Sequence, residues 1–175
     1  GKKNNEGLAL SDNVKGNSVS EIILTEYSDF QCPACGQAAP FVKEITEQYA
    51  DQLRFEYKHF PLISIHPNAE PAARAAEAAG AQGKFFEMHD LLFENQQALT
   101  IDNLKQYAKN LNLNQVAFDL CLDNNEMQEE VNKDLADGTS YGIQGTPAFF
   151  INGRPLEGAQ PFEAFEQIIK EELEA

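Results

Sequence analysis

Two cysteines separated by two residues, Cys32 and Cys35, stand where an alternating apolar run stops and a helical one starts, and this junction restricts the fold more than any other segment. Ser20 to Phe30 alternates and carries Ile22, Ile23, Leu24, Thr25 and Tyr27, the pattern of a buried strand. Pro33 sits where a helix best accepts proline, its first position, and Ala38, Phe41, Val42, Ile45 and Tyr49 follow at helical spacing. Residues 53 to 60 alternate again. A strand, a helix and a second strand in this order imply a parallel pair with a right-handed crossover.

From Asn68 to about Asp137 the chain is rich in Ala, Leu, Glu and Gln at helical periodicity, with breaks near Gly80 to Gly83, Ala98 to Thr100 and Leu113 to Asn114, so three or four helices are expected. Strand character returns at Ala148 to Ile151, turns at Asn152-Gly153 and continues from Pro155 to Glu157. Pro161 to Leu173 reads as a final amphipathic helix. The expected class is α/β: a mixed sheet with helices on both faces, interrupted by a helical insert at about residues 67–140. A length of 175 residues with 12 Phe is enough for one core, placed at residues 20–175. Residues 1–19 are polar and hold no aromatic residue; they are expected to be a tether, or the remainder of a removed targeting segment.

No apolar run approaches the roughly 20 residues that span a bilayer. With 28 acidic against 13 basic residues the net charge is -15, a field that repels phosphate backbones and anionic headgroups, so neither nucleic acid nor a membrane surface is an expected partner.

The chemistry lies in the dithiol. At a helix N-terminus, unpaired N–H groups and the dipole stabilise an anion, so the Cys32 thiolate should form readily. Cys35, one turn further in, reaches the Cys32 sulfur but is shielded from solvent; Cys32 would exchange with a partner and Cys35 would resolve the mixed disulfide. The same spacing could be half a zinc site, but no second pair exists and His59, His66 and His89 are scattered, so no metal is expected. Cys121 lies in an apolar helical stretch and reads as a small core residue. Glu26 shares strand parity with Ile22 and Leu24; in a central strand its carboxyl would point inward beneath the dithiol, with a raised pKa, able to exchange a proton with Cys35. Thr146-Pro147 precedes a strand, where proline marks a special turn that admits a cis bond. Phe30, beside the dithiol, is a candidate for an exposed apolar docking patch.

Together, the strand-Cys32-Pro33-Ala34-Cys35-helix junction, the helical insert, the segment Gly145-Thr146-Pro147-Ala148-Phe149-Phe150-Ile151-Asn152-Gly153 and the last helix resemble the DsbA-like branch of the thioredoxin superfamily over about residues 20 to 173. The resemblance implies a thiol–disulfide oxidoreductase with Cys32 as nucleophile, Cys35 as resolving thiol and Glu26 as the family's buried acid. A cis-proline loop, Thr146-Pro147, would face the dithiol and bind client together with Phe30, Pro33 and Ala34. It also implies a periplasmic or other extracytoplasmic monomer, membrane-tethered in some forms, with no cofactor beyond the Cys32–Cys35 disulfide. Its partners would be unfolded secreted polypeptides and a separate redox partner. Donation of disulfides is the leading expectation; a reductase or isomerase, or a peptide-binding chaperone without turnover, are the alternatives. One position departs from the family's strongest oxidant, which has Pro-His where this chain has Pro33-Ala34, so a milder oxidant is expected.

Overall fold

A computed structural model describes residues 13–175. The elements follow in the order β1 (Val14–Gly16), β2 (Ile23–Ser28), α1 (Pro33–Gln48), β3 (Arg54–His59), α2 (Ala69–Gly80), α3 (Phe85–Glu94), α4 (Ile101–Asn110), α5 (Gln115–Asp123), α6 (Gln128–Ser140), β4 (Ala148–Ile151), β5 (Arg154–Glu157) and α7 (Phe162–Glu174). The sheet runs β1-β3-β2-β4-β5, with β2 and β3 parallel and the other neighbours antiparallel. β2 is thus the central strand, and the dithiol follows its C-terminal end.

Strand parity sorts the core. Leu24 and Ile151, Phe55, Tyr57 and Phe149 lie on the face covered by α1 through Val42 and Ile45 and by α7 through Phe165 and Ile169, and the insert adds Met88, Leu92, Leu104 and Phe118 to the same core. Tyr27, Phe60 and Ala148 lie on the opposite face against Leu135 of α6 and Tyr141. At roughly 1.5–3 kcal/mol for each fully buried large apolar side chain, these two faces supply the main drive for folding. The turn between β4 and β5 has positive φ at Asn152 (47°) and Gly153 (79°), the pairing that a two-residue hairpin requires.

Two expectations need correction. The polar segment 1–19 is not a tether throughout: Val14–Gly16 forms an edge strand, with Val14 opposite Glu56 and Gly16 opposite Arg54. Three residues are too few to display an alternating pattern, and the segment's polarity hid them. Gly16 is required there, because φ is 85° and a β-carbon would collide with the Leu53 carbonyl oxygen. Residues 1–12 lie outside the described residues. The insert holds five helices, not three or four, because the chain breaks again between α5 and α6, where Asn125 takes a φ of 56°. Asparagine tolerates that conformation without a glycine to announce it.

Candidate active site

β2 delivers Glu26 to the middle of the sheet and ends just before the dithiol. Asp29, one residue past β2, then shapes the turn. Its carboxylate is fully buried; Oδ1 accepts from the Gln31 N–H (2.7 Å) and the Cys32 N–H (3.2 Å), while Oδ2 accepts from the Leu62 N–H (2.9 Å) and pairs with His66 Nδ1 (2.7 Å). A single carboxylate therefore ties the dithiol turn to the loop 61–67. The Gln31 side chain adds a second tie by accepting from the Asn68 N–H at 2.8 Å, just before α2. Asp29 was not singled out from the sequence, and His66 was read there only as a scattered histidine with a capping or packing role. Asp29 is two residues before Gln31, the Asx-turn spacing, and that was the available signal.

Cys32 is the cap residue of α1 and Pro33 its first helical residue, the position at which the sequence placed the proline. The Cys32 side chain reaches the surface slightly (7% exposed) whereas Cys35 does not (0%), and both are free thiols. The hydrogen bond from the Cys35 thiol lowers the Cys32 pKa to about 5, helped by the N–H groups of Cys35 and Ala34 at the helix start and opposed by partial burial. For Cys35, burial and the hydrogen bond it gives to Cys32 push the thiol far up. The two sulfurs are thus driven apart in acidity, the arrangement expected of a nucleophile with its resolving partner.

Across the cleft the Thr146–Pro147 bond is cis, and the Cys32 thiol donates to the Thr146 carbonyl at 3.7 Å. Pro147 is buried and Thr146 half-buried, and both line a groove of about 610 Å³ together with Tyr141, Ile143, Phe150 and Pro155. Pro33 is exposed and Ala34 half-buried beside Cys32, and neither is among the residues lining that groove.

Glu26 lies opposite Tyr57 and Phe149 in the sheet, and burial raises its carboxyl from 4.5 to about 8. It also borders a cleft of about 350 Å³ between α1 and α3 with Gly36, Lys43, His89 and Asp90. Phe30 is not a surface residue. It is 1% exposed, stacked on Tyr57 at 5.3 Å between ring centroids and in edge contact with His89. The chain is still entering the core one residue after Asp29, so the ring continues the apolar face of the sheet. The apolar exposure near the dithiol belongs to Ile63 (58%) and Ile65 (66%), on the loop that Asp29 holds. Cys121 is half-buried against the core, with its thiol donating to Glu126 Oε2 at 3.3 Å. Among the described residues no three of His, Cys, Asp and Glu are grouped to hold a metal ion, and no helix is long and apolar enough to cross a membrane.

The acidity of the dithiol has a direct test. Alkylation of the reduced protein by iodoacetamide is expected to rise with a midpoint near pH 5 and to label Cys32, with Cys35 unreactive through neutral pH. A midpoint near the free-cysteine value of about 8.5, or label on Cys35, would contradict the assignment of nucleophile.

A family model described as Thioredoxin matches residues 9–171. A Na(+)/H(+) antiporter NhaA 1 of Salinispora arenicola is 40% identical over 153 residues, which is 87% of this chain and 23% of that protein. The chain therefore spans about a quarter of the length of the curated relatives it matches. Among solved structures, oxidised BdbD from Bacillus subtilis superposes with a TM-score of 0.84 at 20% identity, covering 96% of this chain and 100% of that one. The thiol-disulfide exchange protein alpha-DsbA2 from Wolbachia pipientis gives 0.82 at 18% identity, covering 91% and 86%. At these identities the likeness establishes the fold.

Proposed function

This chain belongs to the thioredoxin family and carries the DsbA-like form of its fold, and from that premise we propose that it is a thiol–disulfide oxidoreductase that donates disulfides to extracytoplasmic polypeptides. The observation that carries the reading is geometric: Cys32 caps α1 with its sulfur 3.7 Å from the Thr146 carbonyl of the cis-proline loop, while Cys35 lies fully buried one turn behind it. A dithiol is oxidising when its reduced form is the more stable one, and a stabilised Cys32 thiolate provides that.

The reaction follows from the geometry. A client thiolate, lying along the Thr146-Pro147 groove, attacks Cys32 Sγ of the oxidised protein. The Cys32–Cys35 bond breaks, and Cys35 leaves with the electron pair and takes the proton that Glu26 holds at neutral pH. A second client thiolate then attacks the client sulfur of the mixed disulfide and expels Cys32 as its favoured thiolate. The client gains one disulfide, and the protein is left reduced, with a Cys32 thiolate, a Cys35 thiol and a Glu26 carboxylate that regains its proton from solvent. Ile63 and Ile65 offer apolar contact to an unfolded chain, and the backbone at Thr146 offers pairing without sequence choice. Such a donor works only where glutathione and thioredoxin do not keep it reduced, which supports a location outside the cytoplasm. The clients and the partner that reoxidises Cys32 and Cys35 act through the same cleft.

Equilibration with glutathione mixtures tests direction. The expected potential lies between about -270 mV, the reducing value of thioredoxin, and about -120 mV, that of the strongest oxidant of this kind. The milder poise reflects Ala34, which has no side chain able to donate to the Cys32 sulfur. Replacing Ala34 with His should move the potential by about 30 mV or more toward oxidising values. A thioredoxin-like potential, together with a disulfide that raises thermal stability, would overturn the donor reading and favour a reductase.

A further inference from the structure

The backbone around Cys32 is gripped from two sides, and one grip comes from far along the chain. While Asp29 accepts from the N–H groups of Gln31 and Cys32, Gln96 donates its side-chain amide to the carbonyl oxygens of Phe30 and Cys32, each at 2.9 Å. Gln96 lies between α3 and α4, so the helical insert supplies it. Gly36, one turn into α1, makes the space: a β-carbon there would collide with the side-chain amide of Gln96, Oε1 first. Cys32 is held at φ -71° and ψ 123°, an extended cap conformation from which its sulfur overlies the helix start.

We propose that Gln96 is a positioning residue for disulfide exchange, fixing the turn that holds the Cys32 sulfur over the helix N-terminus, and that Gly36 is kept small to admit it. The inference rests on the exchange reading above. The oxygens of Phe30 and Cys32 are the negative ends of peptide dipoles close to the sulfur. An amide that donates to both withdraws that potential and locks the dihedrals that aim the Ala34 and Cys35 N–H groups. Without it the thiolate loses stabilisation and the turn loses its alignment.

Gln96→Leu keeps the volume and removes both donors. It should raise the Cys32 alkylation midpoint by about one pH unit and shift the glutathione equilibrium about tenfold toward the disulfide form, which corresponds to about 30 mV for this couple. Gly36→Ala gives the sharper discrimination. Alanine favours a helix over glycine, so a merely structural effect would stabilise α1, yet the displaced amide should still raise the midpoint. In a Gln96→Ala background, Gly36→Ala should add no further shift. A Gln96→Leu variant with reduced thermal stability but an unmoved midpoint would overturn the proposal, leaving Gln96 as a tie between insert and sheet; if that variant does not fold, an unmoved midpoint in Gly36→Ala does the same. Alkylation needs no client, so failure of the wild-type protein to equilibrate with glutathione would sink the exchange function separately.

Discussion

Cys35→Ser should halt turnover and trap Cys32 in mixed disulfides. The variant keeps a surface thiol of low pKa, because a serine hydroxyl replaces the Cys35 thiol as donor to Cys32 Sγ, the largest contribution to its acidity. Attack on a disulfide therefore proceeds, and release does not. A resolving thiol held one helical turn away acts at effective molarities of about 10⁵ M or more, whereas free thiols are at about 10⁻³ M, so resolution should slow by many orders of magnitude, up to about 10⁸-fold. Incubated with oxidised glutathione or a scrambled client, the variant should accumulate adducts that appear on non-reducing gels and vanish with reductant. Cys35→Ala adds a contrast: with no donor at that position, the Cys32 midpoint should rise as well. Turnover at the normal rate in Cys35→Ser would mean that the second sulfur is a core residue and that exchange does not pass through this pair.

Much of this site was legible because the signals are local. Glu26 could be placed from parity alone: an acid in phase with Ile22 and Leu24 points inward if its strand is central, and β2 lies between β3 and β4. Pro33 marked the first residue of the helix. The same local reasoning failed at Phe30. Adjacency to the dithiol suggested exposure, whereas packing against Tyr57 and His89, set by residues far along the chain, decides where the ring goes. Asp29 and Gln96 were missed for a related reason. Polar residues in loops carry no periodicity, and their partners are backbone atoms that only the folded chain brings together. The apolar surface shifted likewise: Ile63 and Ile65 alternate like part of a strand, but the loop held by Asp29 turns both outward.

Glu26→Leu is expected to make the protein more stable and a poorer catalyst, and the two effects share one cause. In the folded chain burial holds the carboxyl near 8, while in the unfolded chain it titrates at about 4.5. A group raised on folding contributes its full stability below the unfolded value and loses it as pH rises through the folded one. Glu26 should therefore be without penalty below about pH 4.5 and destabilising by about 5 kcal/mol above pH 8, from 1.36 kcal/mol per unit. Leucine fills a similar volume beside Tyr57 and Phe149 with no charge to desolvate. Denaturant unfolding should show a gain for the variant that grows by several kcal/mol between pH 4.5 and 8. Both redox forms should show it, since the carboxyl is present in each. The rate moves the other way. When a client attacks Cys32, the departing Cys35 sulfur is strongly basic and buried, and Glu26 is the acid beneath it; losing that proton donor should slow the step by about a hundredfold. The slowing should be greatest where Glu26 is protonated, below pH 8, and should fade above it. A stability gain that does not vary with pH would mean that the carboxyl is not held neutral by burial. An unchanged rate alongside the expected gain would leave Glu26 a buried acid with no part in releasing Cys35, whose proton would then have to come from solvent.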